Sequence, residues 1–121
     1  MIVAGFGFRA EATLSALQDA LASAQHGQPH VTLLAVPDDK AALAQLLANT
    51  MDLPLSAISP EALRSAQTPT QSTASLEARQ TGSVAEACAL AAAGPDARLL
   101  TPRHISSDRM ATCAIAEGPA A

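Results

Sequence analysis

Strand-like and helix-like segments alternate along this chain. That alternation predicts one α/β domain in three layers, α/β/α, on a mainly parallel sheet. Near the N-terminus, two apolar runs flank a stretch with helical leucine spacing, the order of a right-handed parallel βαβ unit. Further along, Ser59 and Ser83 stand directly before helix-like segments, where capping residues belong. A chain of 121 residues is expected to form a single domain, 1–121, with a sizeable core.

Met1-Ile2-Val3-Ala4-Gly5 reads as a buried strand. Leu14, Leu17 and Leu21 predict a helix over about 11–25, closed by Gly27 and Pro29. Val31 to Val36 reads as the second strand. Asp38 or Asp39 can cap the next helix, whose expected apolar face is Leu43, Leu46, Leu47 and Met51. Leu53 to Ile58 suits a short strand, and Ser59-Pro60-Glu61 starts a short helix over about 60–66. Residues 67–82 are rich in Thr, Gln and Ser without an apolar period, and read as a long loop. Ser83 and Glu86 have capping-box spacing and open a helix that runs to Gly94-Pro95. Residues 97–101 and 110–116 read as the last strands, joined by a loop that holds Arg103 and His104. They are close enough to pair antiparallel, which would make the sheet mixed. Gly118-Pro119-Ala120-Ala121 reads as a frayed tail.

Composition excludes several functions. The aromatic residues are Phe6 and Phe8 alone, and the net charge is −4. Base stacking and a basic phosphate-binding surface are both lacking, so no nucleic-acid partner is expected. No apolar run reaches the roughly 18 residues of a membrane span. Met1 leads straight into a strand, so a cytoplasmic protein without a leader is expected. Cys88 and Cys113 read as two buried free thiols. His26, His30 and His104 lack metal-ligand spacing, and neither metal nor cofactor is expected.

The richest motif is Gly5-Phe6-Gly7-Phe8-Arg9-Ala10. It reads as strand, tight loop and helix, with backbone N–H groups offered to an anion. It also fits a G-x-G-x-x-A variant of the dinucleotide fingerprint, with Asp38 or Asp39 in the place of the ribose-binding acid. The chain has too few strands for a full dinucleotide fold, and Arg9 puts charge inside the turn. A cation at a helix N-terminus is unfavourable unless an anion offsets it, which points to a ligand. Lys40 repeats the arrangement after the second strand. Both fall at the carboxyl edge of a parallel sheet, where ligands bind. Gly82, Ser83 and Glu86 mark a third helix start, and Arg103 adds charge to the rim. The expected ligand-binding set is Gly5, Gly7, Arg9, Lys40, Gly82, Ser83, Glu86 and Arg103. No catalytic group is assigned. Glu86, Asp39 and His104 are the acid–base candidates, and no triad order stands out.

Four segments together carry a family resemblance: Gly5-x-Gly7-x-Arg9, Asp38-x-Lys40, the run from Gly82 to Leu90, and Ala111 to Ala116. In order and spacing the chain resembles CobE and the C-terminal domain of CbiG, proteins of cobalamin biosynthesis. It departs from that pattern at Phe8, where the family usually has Cys, and at Leu43, where it usually has an acid. Arg103 stands for a lysine often seen before the last strand. The resemblance implies a corrin-pathway protein that binds a precorrin or hydrogenobyrinate-type tetrapyrrole. In CbiG the similar domain is fused into a hydrolase that opens the lactone ring of a cobalt-precorrin. Two other readings follow from the resemblance: a precorrin-modifying hydrolase or isomerase, and a docking module for corrin-pathway methyltransferases.

Overall fold

Strand β1 (Ile2–Phe8) is the centre of the sheet, with five consecutive buried residues. Burial on both faces explains why it reads as a continuous apolar run rather than an alternating one. The computed structural model describes residues 1–65 and 83–119. The expected loop at 67–82, Gly82 and the last two alanines lie outside the described residues. After β1 come α1 (Leu14–Gln25), β2 (Leu33–Pro37), a 3-10 turn (Asp38–Lys40) and α2 (Ala41–Met51). β3 (Leu55–Ile58), α3 (Pro60–Ser65), α4 (Val84–Ala93), β4 (Arg98–Ile105) and β5 (Ala111–Glu117) complete the described residues.

The sheet order is β3-β2-β1-β5-β4. β1, β2 and β3 pair in parallel, while β5 pairs antiparallel with both β1 and β4. Four strands therefore run one way and β5 runs against them, a mainly parallel but mixed sheet. Helices α1 and α2 cover one face over Phe6, Leu34, Val36, Cys113 and Ile115. Helices α3 and α4 cover the other over Val3, Ala35 and Ala116.

Local chemistry sets the helix ends. Thr13 Oγ1 accepts the Ala16 N–H at 3.3 Å, so α1 starts at Leu14 rather than near residue 11. Asp52 closes α2 in the left-handed region, φ 55°, with its N–H on the Ala48 and Asn49 carbonyls. The inward face of α2 is Ala44, Leu47 and Ala48, with Leu43 and Met51 beside them. Leu46, expected inside, is 54% exposed. The two alanines bring that side of the helix close to the sheet and turn Leu46 outward.

Helix α4 lies directly on β1. A Cβ at Gly5 would collide with the Ala85 carbonyl and the Ala89 amide nitrogen. At the other end, a Cβ at Gly118 would collide with the Ala93 carbonyl, and the Gly118 N–H donates to the Met1 carbonyl at 2.9 Å. Gly118 is thus pinned at the base of the sheet rather than frayed. The hairpin between β4 and β5 is tied to α1. Asp19 Oδ2 accepts both the Ser107 N–H and the Ser107 hydroxyl at 2.7 Å. These two donors, the backbone one first, hold the Asp19 carboxyl below its ordinary range.

Two outcomes are expected. Gly5→Ala should lower stability by roughly 1–3 kcal/mol, read by chemical denaturation, because backbone on both sides must separate. Asp19→Asn should lower the thermal midpoint at neutral pH. A depressed carboxyl pKa contributes stability above the unfolded value and loses it as pH falls through the folded one. The difference between variant and wild type should therefore vanish on acidification below pH 3.8, the ordinary value for this group.

Candidate functional site

The carboxyl ends of β1, β2, β3 and β4 share one edge of the sheet, and the β4–β5 turn joins them there. The glycine motif is placed differently from the expected tight loop. Gly5 and Gly7 are strand residues: Gly5 pairs with Ala35 and Ala114, and Gly7 with Thr112. Their function in the fold is close approach. A Cβ at Gly7 would stand 3.1 Å from both Val84 Cβ and Thr112 Oγ1. The loop that follows β1 begins at Arg9, whose N–H donates to the Met110 carbonyl at 2.9 Å. Arg9 itself is exposed.

Lys40 sits at the junction of the 3-10 turn and α2, and no side chain caps that helix. Its Nζ lies 5.6 Å from the centroid of the Phe8 ring. This contact joins the first and second segments of the sequence motif. Phe6 is fully buried in the core, whereas Phe8 is half-buried at the edge. Asp38 and Asp39 beside Lys40 are exposed.

The third segment reaches the same edge through Val84, which abuts Gly7. Ser83 is buried and caps α4, its Oγ accepting the Glu86 N–H at 3.3 Å. Glu86 is fully buried, and its Oε2 accepts the Arg103 N–H at 2.8 Å. Arg103 and His104, expected in a loop, are residues of β4. The β4–β5 register shifts between Thr101 and His104, around Pro102, which has no N–H to offer. That irregularity turns the Arg103 N–H to Glu86 instead of to a neighbouring strand.

Two of the acid–base candidates, His104 and Glu86, are placed on different faces of the sheet. The His104 ring bonds to Ser23 Oγ on α1 at 3.1 Å and to Thr101 Oγ1 at 2.9 Å. It therefore stands in the α1 layer, while Glu86 belongs to α4 on the opposite face. Cys88 and Cys113 are buried and outside any disulfide. Burial pushes the Cys113 thiol well above its ordinary pKa, which leaves it protonated and unreactive at neutral pH. Among the described residues no three His, Cys, Asp or Glu side chains group as metal ligands, and no helix is long and apolar enough to cross a membrane.

Sequence reasoning missed Arg109 and Thr112. Arg109 occupies the β4–β5 turn with φ 63°, next to Met110, to which the backbone of Arg9 is bonded. Thr112 donates its hydroxyl to the Gly7 carbonyl at 3.2 Å. The Thr101–Arg109 stretch looked like a plain connection, and only the pairing of Phe8 with Ala111 brings the turn to this edge. Arg9, Lys40, Arg103 and Arg109 thus all belong to the carboxyl edge, in a chain of net charge −4.

Comparison with known proteins gives a consistent result. The family model described as the cobalamin synthesis G C-terminus matches residues 2–116. The structure of CobE, a protein from the cobalamin (vitamin B12) biosynthetic pathway, superposes with a TM-score of 0.85 at 29% identity, over 96% of this chain and 89% of that one. The cobalamin biosynthesis protein chiG from Agrobacterium tumefaciens str. C58 gives a TM-score of 0.74 at 32% identity, over 99% of this chain and 100% of that one. A cobalamin biosynthesis protein G homolog from Sulfolobus solfataricus shares the fold at 18% identity with a TM-score of 0.71, over 95% of this chain and 36% of that one. A search of the curated proteins gave no match. With the family model spanning nearly its whole length, the chain belongs to the family of the cobalamin synthesis G C-terminal domain.

Proposed function

We propose that this domain binds a precorrin or hydrogenobyrinate-type tetrapyrrole at the carboxyl edge of its sheet. The observation that carries the reading is the meeting of three sequence segments there: Phe8-Arg9, Lys40 and the start of α4. A corrin precursor is a flat, largely apolar macrocycle with acetate and propionate carboxylates around its rim. Arg9, Lys40 and Arg103 supply cations that suit those carboxylates, and Arg is the better partner for bidentate contacts. The uncapped start of α2 and the Ser83-capped start of α4 add positive dipole ends. Gly5 and Gly7 contribute by letting α4 close on β1, and Glu86 by holding the Arg103 segment of β4. Family membership supports the ligand class. The chain spans most of the length of CobE and chiG, which are named for the same pathway.

Carriage is favoured over chemistry by one observation. Among the described residues, His104 and Glu86 lie on opposite faces of the sheet.

Titration of the purified protein with hydrogenobyrinic acid, followed by absorbance, tests the reading. Saturable binding is expected, weakened by added salt because the contacts are charged. Arg9→Ala should weaken it roughly tenfold, the loss of one charge-assisted contact of about 1.5 kcal/mol. An unchanged spectrum with tens of micromolar ligand, or Arg9→Ala titrating like wild type, would overturn it.

A further inference from the structure

We propose that Phe8 and Lys40 form a ligand-displaced latch. In this structure the Lys40 ammonium covers the Phe8 ring. When a flat ligand rimmed with carboxylates enters, its plane takes the ring and Lys40 moves to a carboxylate. This rests on the tetrapyrrole-binding reading above and adds to it the surface on which the macrocycle lies.

Several features support the latch. The chain has two phenylalanine rings and no Tyr or Trp. Phe6 is fully enclosed in the core, which leaves Phe8 as the ring at the edge of the sheet. Phe8 ends β1 and is half-buried, packed on one side against the α1–α2 core. It is therefore braced from behind and has the fixed orientation that a stacking surface needs. The group above it is a lysine at 5.6 Å from the ring centroid. Cation–π contacts at partly exposed sites are weak, and a lysine stem is flexible, so this cover is easily moved. Charge-assisted hydrogen bonds to a carboxylate are stronger than the contact given up. Lys40 also stands at the start of α2, the positive end of that helix, where a nearby anion relieves an unfavourable cation.

The latch makes a distinctive prediction for a double-variant cycle. Each single variant removes a contact to the ligand but also frees the other residue from the Lys40–Phe8 contact. Phe8→Leu and Lys40→Gln should each weaken hydrogenobyrinic acid binding. The double variant should then weaken it by about two- to fivefold more than the product of the two single effects, the exposed cation–π strength expressed as a ratio. Thermal unfolding of each variant checks that the fold is kept. A second measurement needs no variant that could misfold. In wild-type protein the Lys40 Cε protons should show a ring-current shift by 13C–1H NMR, and hydrogenobyrinic acid should abolish it. If wild type binds while the single effects simply multiply and the ring-current shift persists, the latch is overturned and the tetrapyrrole reading stands. If wild type does not bind at all, both fall.

Discussion

The backbone of α4 rests on the backbone of β1, and glycine is the residue that allows it. At Gly5 even a methyl group would meet the Ala85 carbonyl and the Ala89 nitrogen. Alanines fill the buried side of α4, and Gly118 admits its far end at the Ala93 carbonyl. The helix is therefore set at a fixed height and direction along β1. Its start then falls beside Gly7 at the carboxyl edge, where Ser83 caps it and Glu86 turns toward β4. If the contact at Gly5 were lost, the cap, the buried carboxylate and the Arg103 segment would lose their common reference.

The same edge gathers cations in an acidic protein. Arg9, Lys40 and the Arg103–Arg109 stretch come from three separate parts of the chain, and the mixed sheet brings them together. β5 is central to this, because running antiparallel between β1 and β4 it delivers the β4–β5 turn to the ends of the parallel strands. Asp19 secures that turn to α1 through Ser107, so the α1 layer also takes part in holding the edge. On the binding proposed above, these strand-end cations, helix starts and one braced aromatic ring would face the flat polyanion.

Element types and order were legible in the sequence because they rest on local rules: leucine spacing for α1, serine caps for α3 and α4, and apolar runs for β1 and β2. The place of Arg9, Lys40 and Arg103 at the carboxyl edge was legible for a related reason, since a charge near a strand end stands out from an apolar background. The two glycines show where local rules fail. Glycine before a helix pattern suggests a loop, yet Gly5 and Gly7 continue the strand. Their absent side chains serve a helix more than seventy positions away, which no local pattern encodes. Likewise Arg103 reads as loop beside Pro102, but pairing with β5 draws it into a strand whose irregularity faces Glu86.

By itself, then, the sequence determined the α/β class and the order of the elements, since periodicity and caps are carried by neighbours along the chain, and its four motif segments carried the family resemblance. Only the tertiary structure decided which segments meet. It buried Phe6 and left Phe8 under Lys40, separated His104 from Glu86 by the thickness of the sheet, and brought Arg109 to the edge. The physical reason is that strand register and helix height are set by long-range packing. Each depends on whether backbone can approach backbone, which a residue's neighbours in sequence do not reveal.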